Sequence, residues 1–128
     1  MTNPVQPVYG PTNPAPPSSR VVSVIGLNED KEQYYRELHA DVWAGVLLRL
    51  RESNIQNYSI HIAELDGKKY LFSCFEYAGN NFAADQQAIA ADAVTQKWWI
   101  ETDPCQIPLP GRQSDAHWSE LEQLFFMP

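Results

Sequence analysis

Two strand-like runs, the first alternating apolar and polar residues, meet at Asp66-Gly67, and that junction restricts the fold more than any other stretch of the chain. In Ile55 to Glu64, Tyr58, Ile60 and Ile62 fall on one side and Asn57, Ser59 and His61 on the other, the period-two signature of a strand. Lys69 to Tyr77 is a second run dense in β-formers, with apolar residues on both parities. Asp-Gly supplies the left-handed backbone that a tight hairpin turn requires. Any fold for this chain must therefore contain this antiparallel pair and must cover it.

The flanking segments supply the cover. Arg20 to Leu27 reads as a strand with apolar residues on both faces. From Asn28 to about Ser53, apolar residues recur at Tyr35, Leu38, Val42, Trp43, Val46 and Leu50, one face of a long helix. Asn28 can cap that helix, and Glu29 and Asp30 suit the positive end of its dipole. Phe82 to Ile100 reads as a second helix or as two shorter pieces, ending in Lys97-Trp98-Trp99-Ile100. Thr102 to Ser114 carries Pro104, Pro108, Pro110 and Gly111, so it reads as a long irregular loop of the kind that covers a site. Glu120 to Met127 reads as a last strand, with a short helix as the alternative.

The order β-α-β-β-α-β is the ferredoxin-like α+β arrangement, a four-stranded antiparallel sheet with two helices on one face. Two helices hide only one face, yet three strands carry apolar residues on both. The second face is therefore expected to pack against another copy of the chain, sheet to sheet, in a homodimer.

Length, charge and composition narrow the class. The 128 residues suit one compact domain. Residues 1–19 hold Pro4, Pro7, Pro11, Pro14, Pro16 and Pro17 and no charged side chain, so a disordered extension is expected there and the folded domain over 20–128. A net charge of −7 argues against nucleic acid or an anionic membrane as partner. No stretch reaches the ~20 apolar residues of a membrane span, and the first charge is Arg20, with no basic start before an apolar core. Cys74 and Cys105 have no paired spacing and read as free thiols, which together with the rest gives the expectation of a cytoplasmic protein.

His39 stands inside the apolar helix stripe, with Tyr35 and Trp43 four residues to either side. Periodicity alone favours a hydrogen-bonded core histidine. The other reading is an acid–base group, because imidazole titrates near neutrality. Tyr58 points to the same layer from the second strand. Tyr35, His39, Tyr58 and tryptophans together would offer hydroxyls, an imidazole and flat apolar rings, a mixture suited to a polyhydroxylated ring. Trp98 and Trp99 point about 100° apart on a helix, so one of them is expected to pack. His61 and His117 lack a second imidazole or thiol at ligand spacing, and no HExxH, CxxC, glycine-rich phosphate loop or GxSxG occurs, so neither metal nor cofactor is expected. His117-Trp118 is a weaker site candidate.

Tyr35-x-x-x-His39-x-x-x-Trp43, then Asn57-Tyr58, then Lys97-Trp98-Trp99, and the ending Ser119-Glu-Leu-Glu-Gln-Leu-Phe-Phe-Met-Pro128 together resemble the L-rhamnose mutarotase family. The similarity runs from about Arg20 to Pro128. It implies a dimeric ferredoxin-like protein of the α+β barrel type that interconverts the α and β anomers of L-rhamnose, and no cofactor is expected. By position it implies His39 as the proton donor, Tyr35 and Tyr58 as sugar contacts and Trp98-Trp99 as pocket lining. Val42-Trp43-Ala44-Gly45-Val46 departs from the family's common Ile-Trp-Pro-Glu-Leu, and the loop from Thr102 to Trp118 differs in composition, which leaves L-rhamnose, L-fucose or another hexose open as substrate. Two alternatives remain beside this reading: a dimeric α+β module that binds a small ligand without catalysis, and an α+β barrel enzyme acting on another substrate.

Overall fold

The computed structural model describes residues 19–128, so the expected proline-rich extension lies outside the described residues apart from Ser19, which begins the first strand. In chain order the elements are β1 (Ser19–Leu27), α1 (Glu32–Ala40), α2 (Ala44–Glu52), β2 (Ile55–Leu65), β3 (Lys68–Tyr77), α3 (Phe82–Ala91), α4 (Ala93–Thr102), β4 (Gln106–Ile107) and β5 (Ser119–Leu121). Single turns of 3-10 helix, Glu29–Lys31 and Asp103–Cys105, precede α1 and β4. The sheet order is β2-β3-β1-β4, with β5 also paired to β1, and every pair is antiparallel. This is the ferredoxin-like α+β topology expected from the element order, with the fourth strand divided in two.

Alternation sorts the sheet into two faces. Val21, Ser23, Ile25 and Leu27 of β1 share a face with their cross-strand partners Phe75, Ser73 and Leu71 of β3. The helices cover this face, where Ile25, Leu27 and Leu71 join Tyr35 of α1 and Cys105 in one core cluster. The opposite face carries Val22, Val24, Phe72 and Cys74, with Leu121 opposite Val22.

A β-bulge brings β2 into this scheme. Gln56 pairs with Glu76 and Ser59 with Cys74, so Asn57 and Tyr58 together oppose the single residue Phe75. Asn57 takes the left-handed conformation, φ 50°, and its amide donates to Glu76 Oε1 at 2.9 Å. The extra residue shifts the parity. Ile55 and Tyr58, which strict alternation would separate, both face the helices, and Ile60 and Ile62 follow on that side. At the hairpin tip, Asp66 (φ 55°) and Gly67 (φ 78°) are both left-handed, as the Asp-Gly junction requires.

The long helix expected from Asn28 to Ser53 is instead two. Asn28 caps the preceding 3-10 turn, accepting from the Asp30 N–H at 3.1 Å. Helix α1 stops at Ala40, three residues turn away, and α2 starts at Ala44 and ends at Glu52 with Ser53 as its cap, close to the expected end. The apolar stripe is continuous across the break, so periodicity alone does not reveal it. The break does fit the family's run: a proline where this chain has Ala44 would occupy the first helical position of α2, a favoured place for proline. This chain makes the interruption with alanine at that position. The second helix is also two pieces, one of the readings allowed by its sequence. Asp92 ends α3 in an extended conformation and starts α4, its carboxylate accepting from the Thr95 N–H at 3.0 Å and the Thr95 hydroxyl at 2.8 Å.

The segment expected as loop from Thr102 to Ser114 is partly ordered structure. The chain makes a 3-10 turn and enters the sheet as β4, pairing Ile107 with Gly26 and Gln106 with Leu27. Gly26 makes this approach possible, because a Cβ there would lie 2.8 Å from the Ile107 carbonyl oxygen. Residues 108–118 then leave the sheet, and the chain returns as β5 over Ser119–Leu121 only, shorter than the strand expected to Met127. Leu124, Phe125 and Met127 beyond it are exposed, so they find no core on this chain to hold them in the sheet.

Candidate active site

A cavity of about 1050 Å3 opens between the helices and the covered face of the sheet. Its helical wall carries Tyr35, His39 and Trp98, its sheet wall Tyr58, Ser73 and Phe75, and residues 114–118 close one side with His117 and Trp118.

His39 sits in the last turn of α1. Its Nδ1 lies 2.9 Å from the Tyr35 carbonyl oxygen, one turn back, and donates to it, because a carbonyl can only accept. This fixes the neutral tautomer with the lone pair on Nε2, which has no hydrogen-bond partner among the described residues. Aromatic rings surround the imidazole: Tyr35 stacks at 4.2 Å between centroids, inclined 30°, and Trp98 meets it edge-on at 5.4 Å. Desolvation pushes the imidazole pKa below the ordinary histidine value, partly offset by the bond to the Tyr35 carbonyl. At neutral pH His39 is an uncharged imidazole whose Nε2 lone pair can accept a proton.

The break after α1 lets Trp43 leave the helical path and pack edge-on against Trp98 at 5.1 Å. The Asp92 cap aims α4 so that Thr95, Trp98 and Thr102 form its buried side. Trp98 is 7% exposed and Trp99 39%. The adjacent tryptophans therefore separate as helical geometry requires: Trp98 packs against His39 and Trp43, and Trp99 stands at the rim of the same cavity.

Tyr35 is buried, and desolvation pushes its phenol pKa up. Its oxygen accepts from Gln106 Nε2 at 3.1 Å. Tyr58 reaches the cavity because of the Asn57 bulge and packs against Phe75 at 5.4 Å. Although 43% of its surface is open, that surface lines the cavity, and the protein packed around the phenol desolvates it and raises its pKa as well. Both phenols are hydrogen-bonding hydroxyls at neutral pH, not phenolates.

All five residues expected at the site, His39, Tyr35, Tyr58, Trp98 and Trp99, line this one cavity, and so does the weaker candidate pair His117 and Trp118. Gln106 is the residue that sequence reasoning missed. It lies in the segment read as irregular, and only its pairing with Leu27 reveals that it faces inward. Among the described residues no three His, Cys, Asp or Glu side chains are grouped as a metal site would need, and no helix is long and apolar enough to cross a membrane.

The family model for L-rhamnose mutarotase matches residues 20–127. The chain belongs to the L-rhamnose mutarotase family. It is 30% identical over 93 residues to the L-rhamnose mutarotase of Sinorhizobium fredii, covering 65% of this chain and 85% of that protein. It is 24% identical over 109 residues to the L-rhamnose mutarotase of Shigella flexneri, covering 85% and 98%. The crystal structure of L-rhamnose mutarotase from Formosa agariphila superposes with a TM-score of 0.64 at 24% identity, over 87% of this chain and 100% of that one, so the L-rhamnose mutarotase fold is shared. Membership in the L-rhamnose mutarotase family places the chain among isomerases.

Proposed function

We propose that the protein interconverts the α and β anomers of L-rhamnose or a closely related hexose, with His39 as the acid–base group and Tyr35, Tyr58, Trp98 and Trp99 as sugar contacts. Family membership supports the reaction class. The observation that carries the mechanism is the state of His39: Nδ1 is held by a backbone carbonyl, which leaves the lone pair on Nε2, the residue lines the cavity, and the ring is desolvated and neutral.

Anomer exchange requires loss of the anomeric hydroxyl proton, cleavage of the bond between the anomeric carbon and the ring oxygen, protonation of that oxygen, rotation about one bond, and reclosure. His39 Nε2 takes the hydroxyl proton and, as imidazolium, gives it to the ring oxygen. Both oxygens are bonded to the anomeric carbon, so one nitrogen reaches them in turn. Reclosure runs the same transfers backwards, with imidazole taking the hydroxyl proton and imidazolium returning one to the carbonyl oxygen. The family resemblance implies a proton donor at this position. The lowered pKa makes His39 an acceptor first and a donor second. Such transfer contributes roughly 10²–10⁴-fold.

The sheet face opposite the helices supports a homodimer. It carries Val22, Phe72, Cys74 and Leu121, none fully buried, and exposed Leu124 and Phe125 follow on the same chain. The free thiols Cys74 and Cys105 suit a reducing, cytoplasmic setting.

Saturation-transfer NMR on the two L-rhamnose anomers, with and without protein, tests the activity. Faster exchange with protein is expected; an unchanged rate refutes the assignment for this sugar. Sedimentation equilibrium tests the dimer, and a monomer at micromolar concentration would exclude it.

A further inference from the structure

The Tyr35 hydroxyl is the end of a hydrogen-bonded chain that starts on the loop dividing the edge strand. Gln106 Nε2 lies 3.1 Å from the Tyr35 oxygen, and Gln106 Oε1 lies 2.9 Å from His117 Nε2. The same His117 nitrogen is 3.7 Å from Asp103 Oδ1.

The polarity of this chain follows from its neighbours. With the amide in this orientation, His117 Nε2 faces two acceptors, an amide oxygen and a carboxylate, so it carries the proton and donates. The Gln106 amide nitrogen is then left to donate to Tyr35. Reversing the amide would direct its NH2 at His117 and require an unprotonated Nε2, whose lone pair would face the Asp103 carboxylate. That arrangement is electrostatically unfavourable. Because Tyr35 receives a hydrogen bond from Gln106 and has no acceptor for its own proton among the described residues, its O–H is available to the cavity.

We infer that Gln106, oriented by His117, is a positioning residue that fixes the Tyr35 hydroxyl as a donor toward a sugar oxygen beside His39. A phenol that could turn either way would donate to some ligand oxygens and accept from others. One fixed as a donor presents its proton to a ring or hydroxyl oxygen in every turnover. This assigns to the divided edge strand a part in ligand orientation that Tyr35 and His39 alone do not explain. The kinetic consequence rests on the mutarotase reading; the polarity of the chain does not.

Gln106→Glu is nearly isosteric but replaces the donor with an acceptor, so the Tyr35 hydroxyl turns to donate its hydrogen bond to the carboxylate instead of to the sugar. We expect the KM for L-rhamnose to rise roughly tenfold, the value of one ligand hydrogen bond, with a smaller change in kcat. Tyr35→Phe should show the same loss, and Gln106→Glu added to Tyr35→Phe should cost nothing further. Additive losses, or a wild-type KM in Gln106→Glu, would overturn the inference. Nitrogen-15 NMR of wild-type His117 at neutral pH reads the polarity without any sugar or variant. A proton on Nε2 is expected, and an unprotonated Nε2 would overturn the inference even if exchange is accelerated. Absence of accelerated exchange in wild type would sink the mutarotase reading and leave the NMR result to decide the chain of hydrogen bonds.

Discussion

The two walls of the cavity are built by different means. The helical wall takes Tyr35, His39 and Trp98 from regular helices, where 3.6-residue periodicity places them. The wall formed by the sheet and the loop takes Tyr58 from a bulge, Gln106 from a two-residue strand and His117 from an excursion out of the sheet. Regular elements hold His39, proposed as the acid–base group, together with Tyr35 and Trp98, and irregular ones bring Tyr58, Gln106 and His117 to the same cavity. In the proposed reaction, positional accuracy is needed most at the imidazole, because proton transfer falls off steeply with misplacement.

Perturbing each wall in turn tests this division. The largest effect is expected on the helical side. His39→Ala should remove the acceleration of anomer exchange, at least ~100-fold, while circular dichroism shows an unchanged fold. Residual exchange near the wild-type rate would move the chemistry to the other wall. On the sheet side, Asn57→Ala places a non-glycine, non-asparagine residue at φ 50° and removes the bond to Glu76. It should cost about 1–2 kcal/mol in chemical denaturation. It should also raise the KM through displacement of Tyr58, and Asn57→Gly should recover most of both effects. If alanine and glycine behave alike, the left-handed backbone is not what aims Tyr58.

Smaller effects sharpen the picture of the helix break. Ala44→Pro, at the first position of α2, should stabilise by roughly 0.4–1 kcal/mol and leave exchange unchanged, because the backbone there already accommodates proline. Destabilisation would mean that the break is held by something other than local backbone preference. The smallest effect concerns pH. Burial holds His39 below the ordinary histidine pKa, so the unfolded chain binds the proton first as pH falls through about 6.5. Stability contributed by neutral His39 is therefore complete above that pH and is lost as pH falls toward the folded-state value. His39→Gln should flatten this slope in melts between pH 7 and 5. Catalysis should follow the folded-state value instead and persist below pH 6.5 before it declines.

The same contrast explains what could be read from the residues. Strand order, the hairpin at Asp66-Gly67 and the convergence of Tyr35, His39, Tyr58 and Trp98 follow from period, turn chemistry and family spacing. The interruption between α1 and α2 does not, because Val42 and Trp43 continue the apolar stripe while their backbone leaves the helix. Gln106 was invisible for a related reason. A two-residue strand has no period, and it sits beside Pro104 and Pro108, which read as loop. The bulge was hidden within correct alternation: Tyr58, Ile60 and Ile62 do share a face, but Asn57 is what brings them to the same side as Ile55.

The divided edge strand also bears on how such a protein can change over time. The excursion between Ile107 and Ser119 is anchored to β1 at both ends, through Gly26–Leu27 and Val22–Val24. Neither anchor touches the hydrogen bonds that tie β1 to β3, and α1 is built before the excursion begins. Insertions, deletions or exchanges there can reshape the sugar-facing surface while the histidine and its tautomer stay in place. Under the proposed function, selection for a different sugar can thus proceed in one short segment that reaches Tyr35 only through His117 and Gln106 and leaves the Nδ1 bond of His39 untouched.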